Sequence, residues 1–418
     1  MADNGKRARQ QEAKEAFFTL SQDQIDFIES NYRAKQSRLS TFATRDEEAI
    51  YEQPSKVAAD GLEFIRPSFR ADVDRTINNP FFNRGNDKTQ VFSLFRDDDI
   101  SRRGFHVQLV AQTARKIGEA LRLNGALIEA IALGHDAGHT PFGHAGEHFL
   151  SEIYHERTGR YFNHNVHSVR ALRTVSPCNL SLQTYNGILC HCGENNFAEY
   201  TTSPCDGFDA LDELMESCYI ENGRSSFLRP STLEGCVVRI CDILAYLGKD
   251  RQDALNVGII SKGDYYLDSF LGSNNSMLIQ NATFNIIKNS IGRDRIAMDV
   301  EVSDEIRRLK ALNNETIYMY DQEGEGKLRR FVFPMMRELY HKLLEDLDAG
   351  REESPIFTEH MNAWFMSTRN PRYAQESHDD IVVDYIASMT DDYFIELYAL
   401  LFPDNPKSHT DLYRPYFQ

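Results

Sequence analysis

The sequence predicts an almost entirely α-helical protein, and two observations lead to that prediction. Apolar residues recur every three or four positions in segments along most of the chain, as they do on one face of a helix. Alternation of apolar and polar residues, which is typical of strands, is scarce, and a weak hairpin pattern within residues 255–272 is the exception. The predicted fold class is therefore all-α.

The predicted helices begin and end at ordinary capping and breaking residues. Ser21 is a suitable N-cap for the first helix, Asn124-Gly125 separates two others, and Pro141 suits a helix start. The long segment 232–249 carries a continuous apolar face. Helical spacing covers residues 21–33, 68–78, 106–123, 126–133, 144–156, 164–174, 182–190, 210–219 and 232–249, then 276–289, 304–318, 327–348, 356–366, 381–389 and 393–402.

Composition limits the classes of function. The 418 residues are 41% hydrophobic, enough for a sizeable core in one large domain or two to three ordinary ones. The formal net charge of −17 argues against a general nucleic-acid or anionic-membrane binder, whose affinity comes from clustered Lys and Arg. A small anionic substrate stays compatible with this charge, because it needs only a local basic pocket.

Cysteine usage and hydropathy predict a cytoplasmic protein. The seven cysteines are an odd number without disulfide-like spacing, which favours a reducing compartment. The N-terminus lacks the apolar region of a signal peptide, and no run of about 18 apolar residues is long enough for a membrane span.

Residues 134–147 concentrate the polar chemistry of the chain. This stretch holds three histidines, an aspartate and a glutamate, and it directly follows the apolar segment 126–133. Its polar side chains are therefore expected at the end of a rigid, buried helix. The adjacent His135 and Asp136 offer a nitrogen and an oxygen ligand to one divalent cation.

Two further residues are candidates to complete a metal site. A hydrolytic metal site has about three or four protein ligands and keeps a position for water. His106 opens the helical segment that precedes the central stretch. Asp242 interrupts the apolar face of segment 232–249, where a buried carboxylate needs a partner. On this evidence alone, that partner is either a cation or an arginine.

The pattern of His106, His135-Asp136 and Asp242 resembles the ligand signature of the HD-domain phosphohydrolases. The surrounding residues are closer to the branch that is similar to deoxyguanosine triphosphate triphosphohydrolase. Four motifs carry the resemblance, which extends from about residue 60 to about residue 402. They are KTQVF at 88–92, HDAGHTPFGHAGE at 135–147, DILAY at 242–246 and DYIASMTD at 384–391.

The resemblance implies an HD-domain helical bundle that hydrolyses deoxynucleoside triphosphates (dNTPs). The expected substrate is dGTP or several dNTPs, and the expected products are the deoxynucleoside and inorganic triphosphate. One divalent ion per subunit is implied (Mn²⁺, Fe²⁺, Mg²⁺, Co²⁺ or Ni²⁺), and the mixed N/O ligand set favours Mn²⁺ or Fe²⁺ over Mg²⁺. A homo-oligomer and an allosteric nucleotide are further expectations from the family, whereas nucleic acid and membrane are not expected as partners.

The same resemblance assigns roles to residues near the metal. His144 and Glu147 match the family's catalytic histidine and the carboxylate that orients it, and their spacing of three places both on one helix face. His139 is a third catalytic candidate that reaches the phosphates. The implied substrate-binding residues are Gln90, Arg103, Tyr246, Asp250 and Tyr385, with weaker indications for Arg102, Lys249, Arg251 and Asp391.

Other features leave choices open. Cys190-His191-Cys192 lacks the second cysteine pair of a zinc finger, so we interpret its cysteines as core residues and place His191 and Glu194 beside the nucleotide pocket. His164-Asn165 matches a family motif, with a structural or a functional role. Phe105 and Val107 around His106, and Ile243 after Asp242, depart from the family pattern without removing a ligand, and they bear on metal preference.

The resemblance divides the chain into three parts. Residues 1–60 form an N-terminal segment, residues 61–260 the HD-domain catalytic core, and residues 261–418 a helical region that completes the nucleotide site and supplies oligomer contacts. Two alternative functions remain at this point. The first is another HD-type nucleotidase or phosphodiesterase, and the second is a regulatory nucleotide-binding protein with vestigial activity.

Overall fold

The computed structural model of the protein describes residues 20–54, 63–193, 198–265, 268–318, 326–363, 370–409 and 412. Within these ranges helices dominate, which confirms the predicted fold class. The helices are α1 (Gln22–Ser37), α2 (Ser68–Ile77), α3 (Pro80–Gly85), α4 (Arg103–Leu121), α5 (Gly125–Gly134), α6 (Gly143–Thr158), α7 (His164–Arg170), α8 (Leu182–Leu189), α9 (Phe208–Ile220), α10 (Leu233–Asn256), α11 (Lys262–Tyr265), α12 (Asn275–Ser290), α13 (Val300–Thr316), α14 (Phe333–Asp348), α15 (His378–Ser388) and α16 (Asp391–Leu401). Short 3₁₀ segments lie at Asp46–Glu48, Arg224–Phe227, Tyr373–Gln375 and Pro406–His409, and π-helical segments at Ala171–Val175, Leu328–Val332 and Ile356–Met361.

Most helix boundaries lie within a few residues of the predicted ones, although α6 begins at Gly143, two residues after Pro141, the predicted start. Ser21 caps α1 through a capping box with Gln24, as its position in the sequence predicted. The largest difference is at α10, which continues to Asn256 rather than ending near Lys249. The polar residues after Lys249 do not end the helix because Asp250 and Arg251 are buried and hydrogen-bonded to residues beyond it.

The strand prediction was wrong in position. In the described part of residues 255–272, α10 and the short α11 take the place of the expected hairpin. The strands that form are β1 (Glu199–Tyr200) and β2 (Ile296–Ala297), which pair antiparallel. Two-residue strands are too short to show a period of two, so the sequence pattern gave no sign of them.

The site rests on a core in which α5 packs against α2 and α4, and α10 packs across α4. Leu127, Ile128 and Ile131 of α5 have no exposed surface. Burial of a full Leu or Ile side chain stabilises a fold by about 1.5–3 kcal/mol, so α5 is a firm support for the residues that follow it. The C-terminal helices α14 and α15 pack against α6. Among the described residues, no helix combines the length and the apolar character that a membrane span needs.

Candidate active site

The loop between α5 and α6 carries the central motif and is held from several sides. A Cβ at Gly138 would lie 2.1 Å from the backbone nitrogen of Ser168, so only glycine allows this loop to approach α7 so closely. Buried Lys88 donates hydrogen bonds from Nζ to the carbonyls of His139 and Ala387, which joins the loop to α15. The Asp391 carboxylate accepts a hydrogen bond from the backbone N–H of Phe142. The loop is therefore fixed from both the core and the C-terminal helices.

The four predicted metal ligands come together at the base of a cavity. His106 Nε2 lies 2.9 Å from Asp242 Oδ1, and His135 Nε2 lies 3.8 Å from the same oxygen. Asp136 Oδ2 lies 3.6 Å from His135 Nε2 and 4.0 Å from His106 Nε2. Residues from α4, from the end of α5 and from α10 thus present two imidazoles and two carboxylates to one point.

The protonation of His135 suits a metal ligand. Its Nδ1 lies 2.6 Å from the carbonyl oxygen of Ala132, which can only accept, so Nδ1 carries the proton and Nε2 keeps its lone pair. Nε2 is fully buried and has no hydrogen-bond partner within the described part of the chain. A buried acceptor without a donor is costly, and a cation bound by the neighbouring carboxylates would satisfy it. The residues present therefore fit a divalent metal ion.

The two carboxylates stay ionised despite their burial. Burial alone would raise the pKa of Asp136, but the Arg103 guanidinium, with Nη1 2.5 Å from Oδ2, holds that pKa well below its usual range together with the nearby histidines. Burial opposes ionisation of Asp242 as well, and its hydrogen bond and charge interaction with His106 lower its pKa. Both carboxylates are thus in the anionic form in which they can bind a cation.

A second group of side chains lies beside the predicted metal ligands. His144 Nδ1 lies 3.2 Å from Glu147 Oε2, so the predicted contact between these two residues is present. His164 Nδ1 lies 2.9 Å from both Glu147 oxygens, and its backbone N–H also donates to Glu147. Glu147 therefore binds two histidines at once. Burial would raise its pKa, but His164 and the other contacts keep it well below the usual value, so the carboxylate is charged.

The three histidines near Glu147 differ in exposure. The His144 side chain is 65% exposed, whereas His139 has no exposed surface. His139 stacks on the His164 ring with the centroids 4.6 Å apart, and neither of its ring nitrogens has a hydrogen-bond partner among the described residues. Burial lowers the pKa of His139 well below its ordinary value, so this ring is neutral. Of the three, His144 has the freest access to a bound molecule.

Three of the four predicted metal ligands, His106, Asp136 and Asp242, line a cavity of about 560 Å³, a volume ordinary for a small-molecule site. Four of the five predicted substrate-binding residues line it, namely Gln90, Arg103, Tyr246 and Asp250. Lys310 of α13 and Tyr318 beyond it form part of the opposite wall. The lining also includes Phe92, Phe95, Ser93, His106, Asp136, His144, His164, His191, Cys192, Asp242, Asn314, Ile317 and Leu328.

Asp250 is the cavity carboxylate that lies about two helical turns along α10 from the predicted ligand Asp242. It is 2% exposed and accepts a hydrogen bond of 2.6 Å from the Tyr318 hydroxyl. Burial raises the pKa of Asp250 to about 7, although the Tyr318 hydrogen bond acts in the opposite direction. This group therefore changes its charge near neutral pH.

Tyr385 does not line the cavity. Its hydroxyl lies 2.7 Å from that of Tyr393, and its ring stacks on His360. Two weaker candidates also have structural partners, since Lys249 Nζ forms an ion pair with Asp253 and Arg251 hydrogen-bonds to Asn313. Asp391 accepts hydrogen bonds from Thr89 and Phe142, and Arg102 lies beside Thr89, so both belong to the scaffold around the loop.

Comparison with known proteins agrees with this geometry. Residues 103–247 match the model of the HD domain, and residues 296–400 match that of the phosphohydrolase-associated domain. A deoxyguanosinetriphosphate triphosphohydrolase-like protein of Caldanaerobacter subterraneus subsp. tengcongensis is 32% identical over 350 residues, which cover 82% of this chain and 87% of that protein. A protein of the same name from Clostridium perfringens strain 13 is 32% identical over 341 residues, 79% of this chain and 85% of the relative.

The chain belongs to the HD-domain phosphohydrolases. Its relatives place it in the dGTP triphosphohydrolase-like branch, as the resemblance in the motifs predicted. The HD-domain match begins at Arg103, the first residue of α4, and ends within α10. These two helices supply His106 and Asp242, so the matched segment contains all four predicted ligands of the divalent metal that HD domains bind.

Several cavity residues of this HD-domain protein were missed or misread in the sequence. Cys190 is a core residue as interpreted, but Cys192 lines the cavity. His164 proves to be a direct partner of Glu147, a choice that its motif had left open. His191 lies at the cavity as expected, and Glu194 lies outside the described residues. Lys310 and Tyr318 carried no signal, because no local pattern relates them to residues that precede them by 60 positions or more.

Proposed function

We propose that this protein hydrolyses deoxynucleoside triphosphates, dGTP or several of them, to the deoxynucleoside and inorganic triphosphate. The observation that carries the proposal is the position of the His144–Glu147 contact beside a four-ligand metal site, in one cavity. The similarity to proteins named for dGTP triphosphohydrolase supports the substrate class. The reaction breaks the bond between the 5′ oxygen and the α-phosphorus, and water supplies the new oxygen on phosphorus.

His106, His135, Asp136 and Asp242 would hold one divalent ion. When bound, such an ion supplies positive charge that neutralises the phosphate oxygens and polarises the scissile phosphoester. The mixed nitrogen and oxygen donors suit Mn²⁺ or Fe²⁺ better than Mg²⁺, which prefers oxygen ligands. Arg103 holds the Asp136 carboxylate in place and lines the same cavity, so it also stands where a triphosphate needs positive charge.

His144 would act as the proton-transfer group. Its side chain reaches the cavity while Nδ1 contacts Glu147, which leaves Nε2 for a substrate or a water molecule. Glu147 accepts from both His144 and His164, so it fixes the orientation of the exposed ring. A protonated His144 can donate its proton to the 5′ oxygen of the leaving deoxynucleoside. In this scheme His139 does not contact phosphate. It stacks on His164 and so helps to hold this partner of Glu147 in position.

The other end of the cavity would bind the nucleoside. Gln90 and Asp250 carry hydrogen-bonding groups suited to the sugar hydroxyl, and the Gln90 Oε1 atom is buried without a hydrogen-bond partner in the described structure. Tyr246 shares one face of α10 with Asp242 and Asp250, between the metal and the sugar positions. Lys310 on the facing wall adds positive charge for the phosphates. Tyr385 does not line this cavity. A role in substrate binding would require contacts outside it.

Product analysis tests the proposal directly. Metal-loaded protein is incubated separately with each of the four dNTPs and each rNTP, and the phosphate products are separated by ion-exchange chromatography. Inorganic triphosphate and deoxynucleoside in equal amounts are the expected products. Release of pyrophosphate or single phosphates would instead indicate another HD-type phosphohydrolase. Saturable nucleotide binding without turnover would indicate a regulatory protein, and either result would overturn the proposal.

A further inference from the structure

A second set of metal-ligating atoms lies in the same cavity, next to the four ligands described above. His164 Nε2 and His191 Nε2 are 3.2 Å apart, and Cys192 Sγ lies 3.3 Å from the first and 3.4 Å from the second. The three atoms form a nearly equilateral triangle made of two imidazole nitrogens and one sulfur. None of the three side chains has a direct role in the metal site of His106, His135, Asp136 and Asp242 as proposed.

The hydrogen bonds behind the two rings direct their lone pairs to this triangle. His191 Nδ1 lies 2.7 Å from the carbonyl oxygen of Ile188, and His164 Nδ1 lies 2.9 Å from the Glu147 carboxylate. Both partners only accept, so both Nδ1 atoms carry protons. Burial opposes a charge on His164, but Cys192 and Glu147 raise its pKa well above the usual value, so without a metal its Nε2 holds a proton that a metal ion would replace. Two lone pairs that face each other at 3.2 Å beside a sulfur repel, unless a positively charged group lies among them.

The dimensions of the triangle match one face of a tetrahedral zinc site. With Zn–N bonds of about 2.0–2.1 Å and a Zn–S bond of about 2.3 Å, tetrahedral angles place the nitrogens about 3.3–3.4 Å apart and nitrogen and sulfur about 3.5–3.6 Å apart. The observed separations are within a few tenths of an ångström of these values. Carbonyl and carboxylate partners on the far side of ligating histidines are also the usual support of such sites.

We propose that His164, His191 and Cys192 form a second cation site, specific for Zn²⁺ or a similar borderline-soft ion. The fourth position faces the cavity, which all three side chains line. The donor set separates the two sites, because a thiolate with imidazoles selects softer ions than imidazoles with carboxylates. Asp136 Oδ1 lies 3.9 Å from His164 Nε2 and adds negative charge on the side toward the first site.

Occupation of this site would fix the residues around Glu147. A cation on His164 Nε2 holds the Nδ1 proton toward the carboxylate, as in the carboxylate–histidine–zinc arrangement of other sites. The ion also adds positive charge to the cavity wall. The inference does not depend on the reaction proposed above, because ion binding is measurable without any substrate.

Cobalt titration tests the site, since Co²⁺ replaces Zn²⁺ and its bond to a thiolate gives a charge-transfer absorption in the near ultraviolet. Protein freed of metal with a chelator, and kept in a phosphine reductant, is titrated with Co²⁺ and then with Zn²⁺. The expected result is a sulfur-to-cobalt band with the visible absorption of tetrahedral cobalt, both removed by Zn²⁺. Saturation with Co²⁺ without a sulfur band would overturn the proposal and leave a proton as the positive charge between the rings.

Variants assign the band to its residue. Cys192→Ser should abolish it and lower the bound cobalt by one equivalent, whereas Cys205→Ser, at the other partly exposed cysteine, should retain it. His106→Ala should lose the equivalent bound at the first site and keep the sulfur band. Persistence of the band in Cys192→Ser, or its loss in Cys205→Ser alone, would place the sulfur ligand elsewhere and contradict the assignment. Circular dichroism of each variant checks that the helices are intact.

Discussion

The base of the cavity and its outer wall are built in different ways. The base consists of His106, His135, Asp136 and Asp242, which are held by helices of the HD core and by buried partners such as Arg103. The wall comes from α13 and the turn after it, and it presents Lys310 and Tyr318 toward α10. The base contains the groups that suit phosphate chemistry, whereas Tyr318 of the wall contacts Asp250, in the region where the nucleoside is proposed to bind.

Because of this difference, the two parts should tolerate amino-acid substitutions differently. At the base, the imidazole nitrogens and carboxylate oxygens lie 2.9–4.0 Å apart and interact with one another. Loss of one of these groups therefore leaves its neighbours without a partner. At the wall, single hydrogen bonds such as that between Tyr318 and Asp250 modify a neighbouring group. Substitutions at the base should therefore abolish the reaction, and those at the wall should change affinity and pH dependence.

The largest effect is expected for His135→Ala. The change removes the buried Nε2 ligand, so metal binding and dNTP hydrolysis should be lost together. Loss of charge stabilisation worth several kcal/mol corresponds to a rate decrease of about 10³-fold or more. Metal content by elemental analysis and triphosphate release are measured on the same preparation. Full activity in a variant that binds no metal would show that the base does not have the role assigned to it.

His144→Ala should separate proton transfer from metal binding. The exposed ring touches Glu147 and none of the four metal ligands in the contacts described, so bound metal should stay at the wild-type level. The rate of hydrolysis at saturating dGTP should fall by about 10²–10⁴-fold, the usual contribution of a general acid.

The matched control is His148→Ala, because His148 is also exposed on α6 and lies one turn farther along the helix. Its activity should equal that of the wild type. Equal losses in the two variants would show that the effect comes from α6 in general and not from the Glu147-bound histidine.

Asp250 of α10, the partner of Tyr318 on the wall, should make nucleotide binding depend on pH. Burial raises its pKa to about 7, so its carboxylate is protonated at lower pH and becomes a weaker acceptor for the sugar hydroxyl. The KM for dGTP should therefore rise as the pH falls through about 7, by up to about tenfold per unit. In Asp250→Asn this dependence should disappear. Tyr318→Phe removes a hydrogen bond that lowers the pKa, so the rise in KM should begin at a higher pH than in the wild type.

The raised pKa of Asp250 also makes the stability of the fold depend on pH. The pKa of Asp250 in the folded protein lies above its unfolded value near 4, so ionisation favours the unfolded chain. Stability is lost as the pH rises from about 4 to about 7, and the loss is complete above that range. Thermal unfolding of Asp250→Asn, compared with the wild type, should show a larger relative gain near pH 8 than near pH 4. An unchanged difference at the two pH values would contradict the raised pKa.

The base was predictable from the sequence, and the wall was not. Helical spacing located α4, α5 and α10, and the density of polar residues at 134–147 marked the end of α5 as a site. Asp242 was a candidate because a carboxylate within an apolar helix face needs a partner. The resemblance to the family motif then linked Asp242 with His106. Lys310 and Tyr318 reach the cavity only through the packing of α13 on α10, and such tertiary contacts leave no local period in the sequence.

Tyr385 provides the smallest effect and the sharpest test of where the cavity ends. The motif placed it among the substrate-binding residues, but its hydroxyl contacts Tyr393 and its ring covers His360. Tyr385→Phe should therefore leave the KM for dGTP within about twofold of the wild type, while loss of the partly buried hydrogen bond with Tyr393 lowers the free energy of unfolding by about 1 kcal/mol. Tyr393→Phe removes the same contact from its other side and should match it in denaturant unfolding. A large rise in KM for Tyr385→Phe alone would show that this tyrosine contacts the nucleotide and that the wall extends to α15.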